Sequence, residues 1–136
     1  MRIAMLLLAS LLGGCSIGER CENMGFERFG STDRVVVNIN SQPVGDPITD
    51  SNKIHALITF VQAHTDGWSV YVTGPPVARV RGEYFHGGKF LGDFGVGETF
   101  ASAQGCDYFQ TRRLSRAETR EYAQLLGVKE NEISWK

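Results

Sequence analysis

The chain has 136 residues, 42% of them apolar, with 14 basic and 15 acidic side chains and a formal charge of −1. This length and apolar content are those of one ordinary domain with a packed core, which excludes a disordered chain. The charge is close to neutral and no run of Lys or Arg occurs, so nucleic-acid binding has no support.

The N-terminal segment has the pattern of an export signal. One basic residue, Arg2, precedes an apolar run over residues 3–12 that only Ser10 interrupts. A transmembrane helix needs about 20 apolar residues, so this run is too short to cross a bilayer but has the length of a secretory signal. It does not end in an A-x-A-like cleavage site.

The run ends instead in Leu12-Gly13-Gly14-Cys15, which resembles the lipobox of bacterial lipoproteins. The resemblance implies removal of residues 1–14 and a diacylglycerol on the Cys15 thiol, with two or three acyl chains such as palmitate holding the protein at a membrane. Ser16 stands where lipoproteins of the inner membrane often have Asp, which implies the periplasmic side of the outer membrane instead. An ordinary signal peptide with a chance cysteine is the alternative.

Loss of residues 1–14 removes Arg2 and leaves thirteen basic and fifteen acidic side chains, a formal charge of −2. We interpret residues 15–24 as a lipidated tether and residues 25–136 as a single periplasmic domain. Two further cysteines, Cys21 and Cys106, would then lie in an oxidising compartment, which predicts a disulfide that closes a loop of roughly 85 residues. A metal-binding or catalytic pair is the alternative, but no C-x-x-C spacing favours it.

The first predicted elements are a strand over residues 34–40, rich in β-branched side chains, a loop over 41–47, and a helix. Asp50 can cap this helix, and Asp66-Gly67 is expected to end it. One apolar stripe follows the helical spacing i, i+3, i+4, i+7 and consists of Ile54, Leu57, Ile58 and Val61.

A strand over 68–72 follows, interrupted by Gly74-Pro75-Pro76. Residues 77–85 and 89–94 then flank Gly87-Gly88, which predicts a hairpin with a tight two-residue turn. Residues 100–103 and 106–111 are one bent strand or two short ones. Ser115 and Glu118 form a capping box at the start of a second helix, which Gly127 ends.

The order strand, helix, three or four strands, helix predicts an α+β fold: two layers, with an antiparallel sheet of about four to five strands and two helices on one face. The spacing of Gly and aromatic residues over 84–100 is similar to that of small exported bacterial proteins of undescribed function. This resemblance implies no activity.

Residue patterns that carry chemistry are weak in this chain. His55 and His64 are nine positions apart, about 180° around a helix axis, and cannot share one metal ion. His86 lies at the predicted hairpin turn, where polar side chains are common. No G-x-S-x-G elbow is present, and Gly95-Val96-Gly97 lacks the third glycine of a phosphate-binding loop. We therefore predict no cofactor, no metal and no enzymatic activity.

Aromatic and arginine side chains near two predicted loops suggest a binding surface, because such residues are common anchors of protein interfaces. The candidates are Trp68, Tyr71, Arg79, Arg81, Tyr84 and Phe90. The alternative is that the aromatic rings fill the core and the arginines are solvated.

The leading hypothesis is thus a membrane-anchored, non-enzymatic module that binds another envelope protein, with an immunity or inhibitor lipoprotein as its specific form. An envelope enzyme or small-ligand carrier, and a structural or assembly lipoprotein, are the alternatives.

Overall fold

The computed structural model describes residues 21–71 and 76–135, which form a mixed α+β fold around one antiparallel sheet. The predicted signal segment, the lipobox cysteine Cys15 and Ser16 lie outside the described residues, and so does the predicted loop at Gly74-Pro75. None of the helices in the described ranges has the length and hydrophobicity needed to cross a membrane.

Within the described residues the sheet has seven strands, in the order β2-β1-β4-β5-β6-β7-β3. Each neighbouring pair is antiparallel. The strands are β1 (Arg34–Ile39), β2 (Gln42–Pro43), β3 (Ser69–Val70), β4 (Val80–His86), β5 (Lys89–Val96), β6 (Phe100–Gly105) and β7 (Tyr108–Arg113). The predicted α+β class is confirmed, but the predicted count of about four to five strands is wrong.

The count was too low partly because β2 lies in the stretch predicted to be a loop. Asn40 and Ser41 have positive φ angles of 49° and 64°, which are the angles of a two-residue hairpin turn, and they fold β2 back onto β1. Pro43 is tolerated because β2 is an edge strand. Its missing N–H therefore costs no hydrogen bond between strands. At the other edge, Ser69–Val70 is the paired part of the predicted strand 68–72 within its described residues, 68–71.

Helix α1 (Ser51–Gln62) begins as predicted. The Asp50 carboxylate accepts a hydrogen bond from the Lys53 backbone N–H at 2.9 Å and so caps the helix. The predicted apolar stripe is buried along its whole length, with Ile54, Leu57, Ile58 and Val61 all at most 9% exposed.

Helix α1 ends at Gln62, four residues before the predicted stop at Asp66-Gly67. The His64 ring Nδ1 lies 2.7 Å from the Phe60 carbonyl oxygen, and the Trp68 indole N–H donates to the His64 carbonyl at 2.7 Å. Side chains therefore satisfy carbonyl groups that a further helical turn would have used.

Helix α2 (Arg116–Leu125) has the predicted capping box of Ser115 and Glu118, and Gly127 follows it at a φ of 77°. Glu118 also binds the His64 ring Nε2 at 2.9 Å, which links α2 to the end of α1. Burial acts to raise the pKa of Glu118, but hydrogen bonds from His64 and Ser115 outweigh it and hold that pKa below its ordinary value.

Both α-helices cover the same face of the sheet. Phe60 of α1 and Tyr122 of α2 pack against the fully buried Phe94 of β5, with ring centroids 6.1 and 4.9 Å away. A 3₁₀ helix (Phe26–Ser31) adds Phe26 and Phe29 to this face. The hydrophobic core therefore lies between the helices and one side of the sheet.

A buried pair of tyrosines connects α2 to the sheet. The Tyr122 hydroxyl donates to the Phe94 carbonyl at 3.1 Å, so the Tyr84 hydroxyl, 2.7 Å away, donates to Tyr122. Burial raises the pKa of both phenols. Gly82 makes room for this contact, since a Cβ there would lie 2.8 Å from the Tyr122 oxygen.

The predicted disulfide is present between Cys21 and Cys106, with the two Cα atoms 5.9 Å apart. Cys21 and Met24 are buried, at 6% and 2% exposure, although both fall in the stretch interpreted as a tether. The packed part of the chain therefore already includes Cys21.

Candidate functional site

The structure divides the six residues of the predicted binding surface into separate groups. Trp68 and Tyr84 are 1% and 0% exposed and belong to the core, so their assignment to a surface is wrong. Trp68 packs edge-on against Phe26 and Phe94, and Tyr84 stacks on Phe29 at 4.5 Å. Burial of these rings explains the error, because a ring beside a loop has the same sequence pattern whether it points inward or outward.

The other four residues are at least partly accessible. Tyr71 and Phe90 are 43% and 53% exposed, whereas Arg79 is half-buried. Arg81 is also half-buried and pairs with a carboxylate of the neighbouring strand, Asp93. These four side chains do not belong to one continuous cluster with Trp68 and Tyr84, so the predicted surface is not formed as a unit.

Arg81 belongs instead to a polar cluster on the sheet face opposite the α-helices, which we call the polar face. It consists of Asn38, Arg81, Glu83, Asp93 and Ser102. The strand register brings them together: Asn38 lies opposite Arg81, Glu83 opposite Asp93, and Ser102 opposite Gly95, which itself lies opposite Arg81. Alternate residues of these strands point to the helices, so the polar side chains share the other side.

Two sets of hydrogen bonds hold this cluster, and together they involve four strands. Arg81 donates to the Asp93 carboxylate and, through its second terminal nitrogen, to the Ser102 hydroxyl at 3.2 Å. The Asn38 amide donates to Glu83 at 3.0 Å. Asn38 and Ser102 are buried, while the side chains of Arg81 and Asp93 remain 23% and 18% exposed. The charged groups are therefore held in place and still reachable.

Two carboxylates, Glu83 and Asp93, lie directly opposite each other on the polar face. Arg81 pairs with Asp93, and Arg34 lies on the same side of β1 as Asn38. The Asp93 Oδ1 atom is buried and has no hydrogen-bond partner among the described residues. Such an arrangement suits recognition of a group that supplies N–H donors and positive charge, such as a Lys or Arg side chain.

The Arg81–Asp93 pair supports a prediction about stability. Replacing Arg81 by alanine leaves a half-buried carboxylate without its partner, and we expect the free energy of unfolding to fall by about 1–3 kcal/mol. The variant Arg81→Ala/Asp93→Ala removes both charges and should unfold no more readily than Arg81→Ala alone. Urea titrations of the two single variants and the double variant measure this coupling; additive losses would contradict it.

A concave region lies beside the disulfide, with a volume of about 510 Å³, and it is lined by Asn23, Met24, Gly25, Arg28, Gln104 and Gly105 among others. Its lining carries two charged side chains, Arg28 and Asp107, and the arginine is already engaged by backbone groups. The Arg28 guanidinium donates to the carbonyl groups of Met24, Gly25 and Leu91 at 2.6–2.7 Å. Burial lowers the pKa of Arg28, but these bonds give it a structural role, and the region offers little to a ligand.

His, Cys, Asp and Glu side chains are the usual metal ligands of proteins. Within residues 21–71 and 76–135, no three His, Cys, Asp or Glu side chains are grouped as metal ligands. His64 is engaged by Phe60 and Glu118, and His86 lies 3.5 Å from Asp33 near the hairpin turn.

Comparisons with known proteins return no match, whether to a family model, to a curated protein or to a solved structure. The residues of the polar face other than Arg81 were missed by sequence analysis, although Arg81 and Glu83 alternate with buried Val80, Gly82 and Tyr84 in β4. That alternation indicates that Arg81 and Glu83 share one side of the strand, but only the register of the neighbouring strands identifies their partners.

Proposed function

We propose that this chain is a lipid-anchored protein of the bacterial envelope whose domain binds another envelope protein without catalysing a reaction. The lipobox supports the anchor, and the Cys21–Cys106 disulfide supports an oxidising compartment, because such bonds persist outside the cytoplasm. Ser16 after Cys15 favours the periplasmic side of the outer membrane.

The polar face is the binding surface in this proposal. The observation that carries it is the partly buried charge cluster of Arg81, Glu83 and Asp93, in which one buried carboxylate oxygen has no partner among the described residues. Charged side chains on a solvated sheet face rarely need such fixed geometry, whereas interface charges are commonly pre-organised by neighbouring groups. The partner is expected to present basic side chains, which complement the two carboxylates.

Site-specific photo-crosslinking in living cells tests this proposal. A photoreactive phenylalanine replaces Phe85, which shares a side of β4 with Glu83, or, as the matched control, the exposed Glu121 of α2. We expect a discrete cross-linked species from position 85 and none from position 121, because the partner contacts the sheet and not the outer side of the helix. Labelled palmitate added to the same cultures reports whether Cys15 carries lipid.

The variant Cys15→Ala is the second arm of this experiment. It should take up no palmitate and should lose the cross-linked species from position 85, since the unanchored domain is no longer held at the membrane of its partner. Equal cross-linking from positions 85 and 121 would contradict the binding surface. A wild-type protein without palmitate would contradict the anchor.

A further inference from the structure

The disulfide determines which end of the domain is closest to the lipid anchor. Cys106 lies in the turn between β6 and β7, and the bond to Cys21 holds the beginning of the described chain at that turn. An extended chain spans at most about 3.3–3.6 Å per residue, so the six steps from Cys15 to Cys21 reach no more than about 22 Å. If Cys15 is lipidated, as the proposed function requires, this end of the sheet lies close to the membrane surface.

Exposed aromatic side chains are concentrated at the same end. Tyr108 begins β7 directly after the turn that holds Cys106, and it is 60% exposed. Phe90 is 53% exposed and follows the Gly87-Gly88 turn of the β4–β5 hairpin. The two turns lie at one end of the sheet because β5 and β6 are antiparallel, with Gly95 opposite Ser102.

Two further contacts support this placement. The Arg28 guanidinium donates to the Leu91 carbonyl at 2.6 Å and to the Gln104 carbonyl at 3.3 Å, so the hairpin and the disulfide turn are close in space. Val70 lies opposite Gln110 of β7, so the next residue, Tyr71, lies one position nearer to the turn that holds Cys106. The Tyr71 side chain is 43% exposed.

In the described part of the chain, Val77 is the fourth large apolar side chain that is exposed, and it lies at the other end. Its neighbour Arg79 donates its backbone N–H to the Val96 carbonyl at the far end of β5. Three of these four exposed apolar groups therefore lie at the end that carries Cys21.

Aromatic side chains, tyrosine above all, favour the membrane–water interface, because the ring is apolar and the hydroxyl reaches polar headgroups. The charges at this end are of both signs: Arg34 and Lys89 are positive, and Asp33, Asp107 and the exposed Glu22 beside Cys21 are negative. The main contribution to membrane binding at this end is therefore insertion of the aromatic rings and not attraction to anionic lipid.

We propose that the tether end of the domain, defined by Tyr71, Phe90, Tyr108 and the disulfide turn, docks against the headgroup region of the bilayer that holds the anchor. Docking there orients the sheet with the Val77 end directed away from the membrane. The inference rests on the proposed lipidation of Cys15 and adds an orientation and a second membrane contact to it.

Tryptophan quenching by brominated lipids tests the orientation. The full acylated protein, extracted from membranes, is reconstituted into vesicles of phosphatidylethanolamine and phosphatidylglycerol with brominated or ordinary acyl chains. Tryptophan replaces Tyr108 or, as the matched control at the opposite end, Val77. The emission of the unmodified protein, from buried Trp68 and half-buried Trp135, is subtracted. We expect the added emission of Tyr108→Trp to fall about twofold in brominated vesicles, and that of Val77→Trp to stay unchanged.

Mass spectrometry of the N-terminal peptide distinguishes a failure of the docking proposal from a failure of the proposed lipid anchor. A lipidated protein whose tryptophans at 108 and 77 are quenched equally, or not at all, overturns the docking and leaves the anchor intact. An N-terminal peptide without lipid overturns both the proposed anchor and the orientation that rests on it. The variant Phe90→Trp tests the docking independently beside the Gly87-Gly88 turn, and its emission should be quenched to the same extent as that of Tyr108→Trp.

Discussion

Replacing both Cys21 and Cys106 by serine is expected to lower the free energy of unfolding by about 4–5 kcal/mol. The bond joins residues separated by 85 positions, so its removal frees most of the domain in the unfolded state, where the gain in chain entropy is largest. A domain of this size has only about 5–15 kcal/mol of stability in total, so the doubly substituted protein should be close to its unfolding threshold.

Urea titration of the oxidised protein and of the Cys21→Ser/Cys106→Ser variant measures this loss. The reduced wild-type protein is the matched control, because it lacks the bond but keeps both sulfur atoms in their places. We expect it to resemble the serine variant. A loss below about 1 kcal/mol would mean that the ends of this loop are already held together without the bond.

Replacing Phe94 by alanine should cost about 3–5 kcal/mol, the range for deleting a fully buried aromatic ring. Phe94 is 0% exposed and occupies the centre of the aromatic core. Its ring contacts those of Phe26, Trp68, Phe60 and Tyr122, with centroids 4.9–6.1 Å apart. These partners come from the 3₁₀ helix, both α-helices and the chain before β3, so a cavity here weakens all contacts between helices and sheet at once.

Phe90→Ala is the matched control, because it is the same substitution in the same strand at a site that is 53% exposed. Its cost should stay below about 1 kcal/mol. Thermal and urea unfolding of the two variants give the comparison. Equal losses at positions 94 and 90 would contradict the assignment of Phe94 to the centre of the core.

The elements that sequence analysis predicted best are those set by local interactions. Asp50 and the pair Ser115 and Glu118 cap their helices as predicted, because a cap involves residues three positions apart. Gly87 and Gly88 form the hairpin turn with φ angles of 53° and 82°, which other residues rarely adopt. The end of α1 was predicted wrongly because it depends on a contact from outside the helix, the hydrogen bond from the Trp68 indole to the His64 carbonyl.

The candidate site shows the same limit more clearly. Arg81 was singled out from the sequence, but as an anchor beside exposed aromatic rings, whereas in the structure it pairs with Asp93 and binds Ser102. Trp68 and Tyr84 were expected on the surface and are buried. A period of two shows that the sides of a strand differ, but it does not show which side the helices cover.

The sequence by itself determined the lipobox hypothesis, the pairing of the two remaining cysteines, the α+β class and both helix caps. These depend on residue types at short spacing or on a count of cysteines. Only the tertiary structure decided the strand order, the side of the sheet that carries the core, and the meeting of Asn38, Arg81, Glu83, Asp93 and Ser102 on the other side. The reason is physical: these residues come from four strands up to 64 positions apart, and hydrogen bonding between strands, not local preference, sets which of them are neighbours.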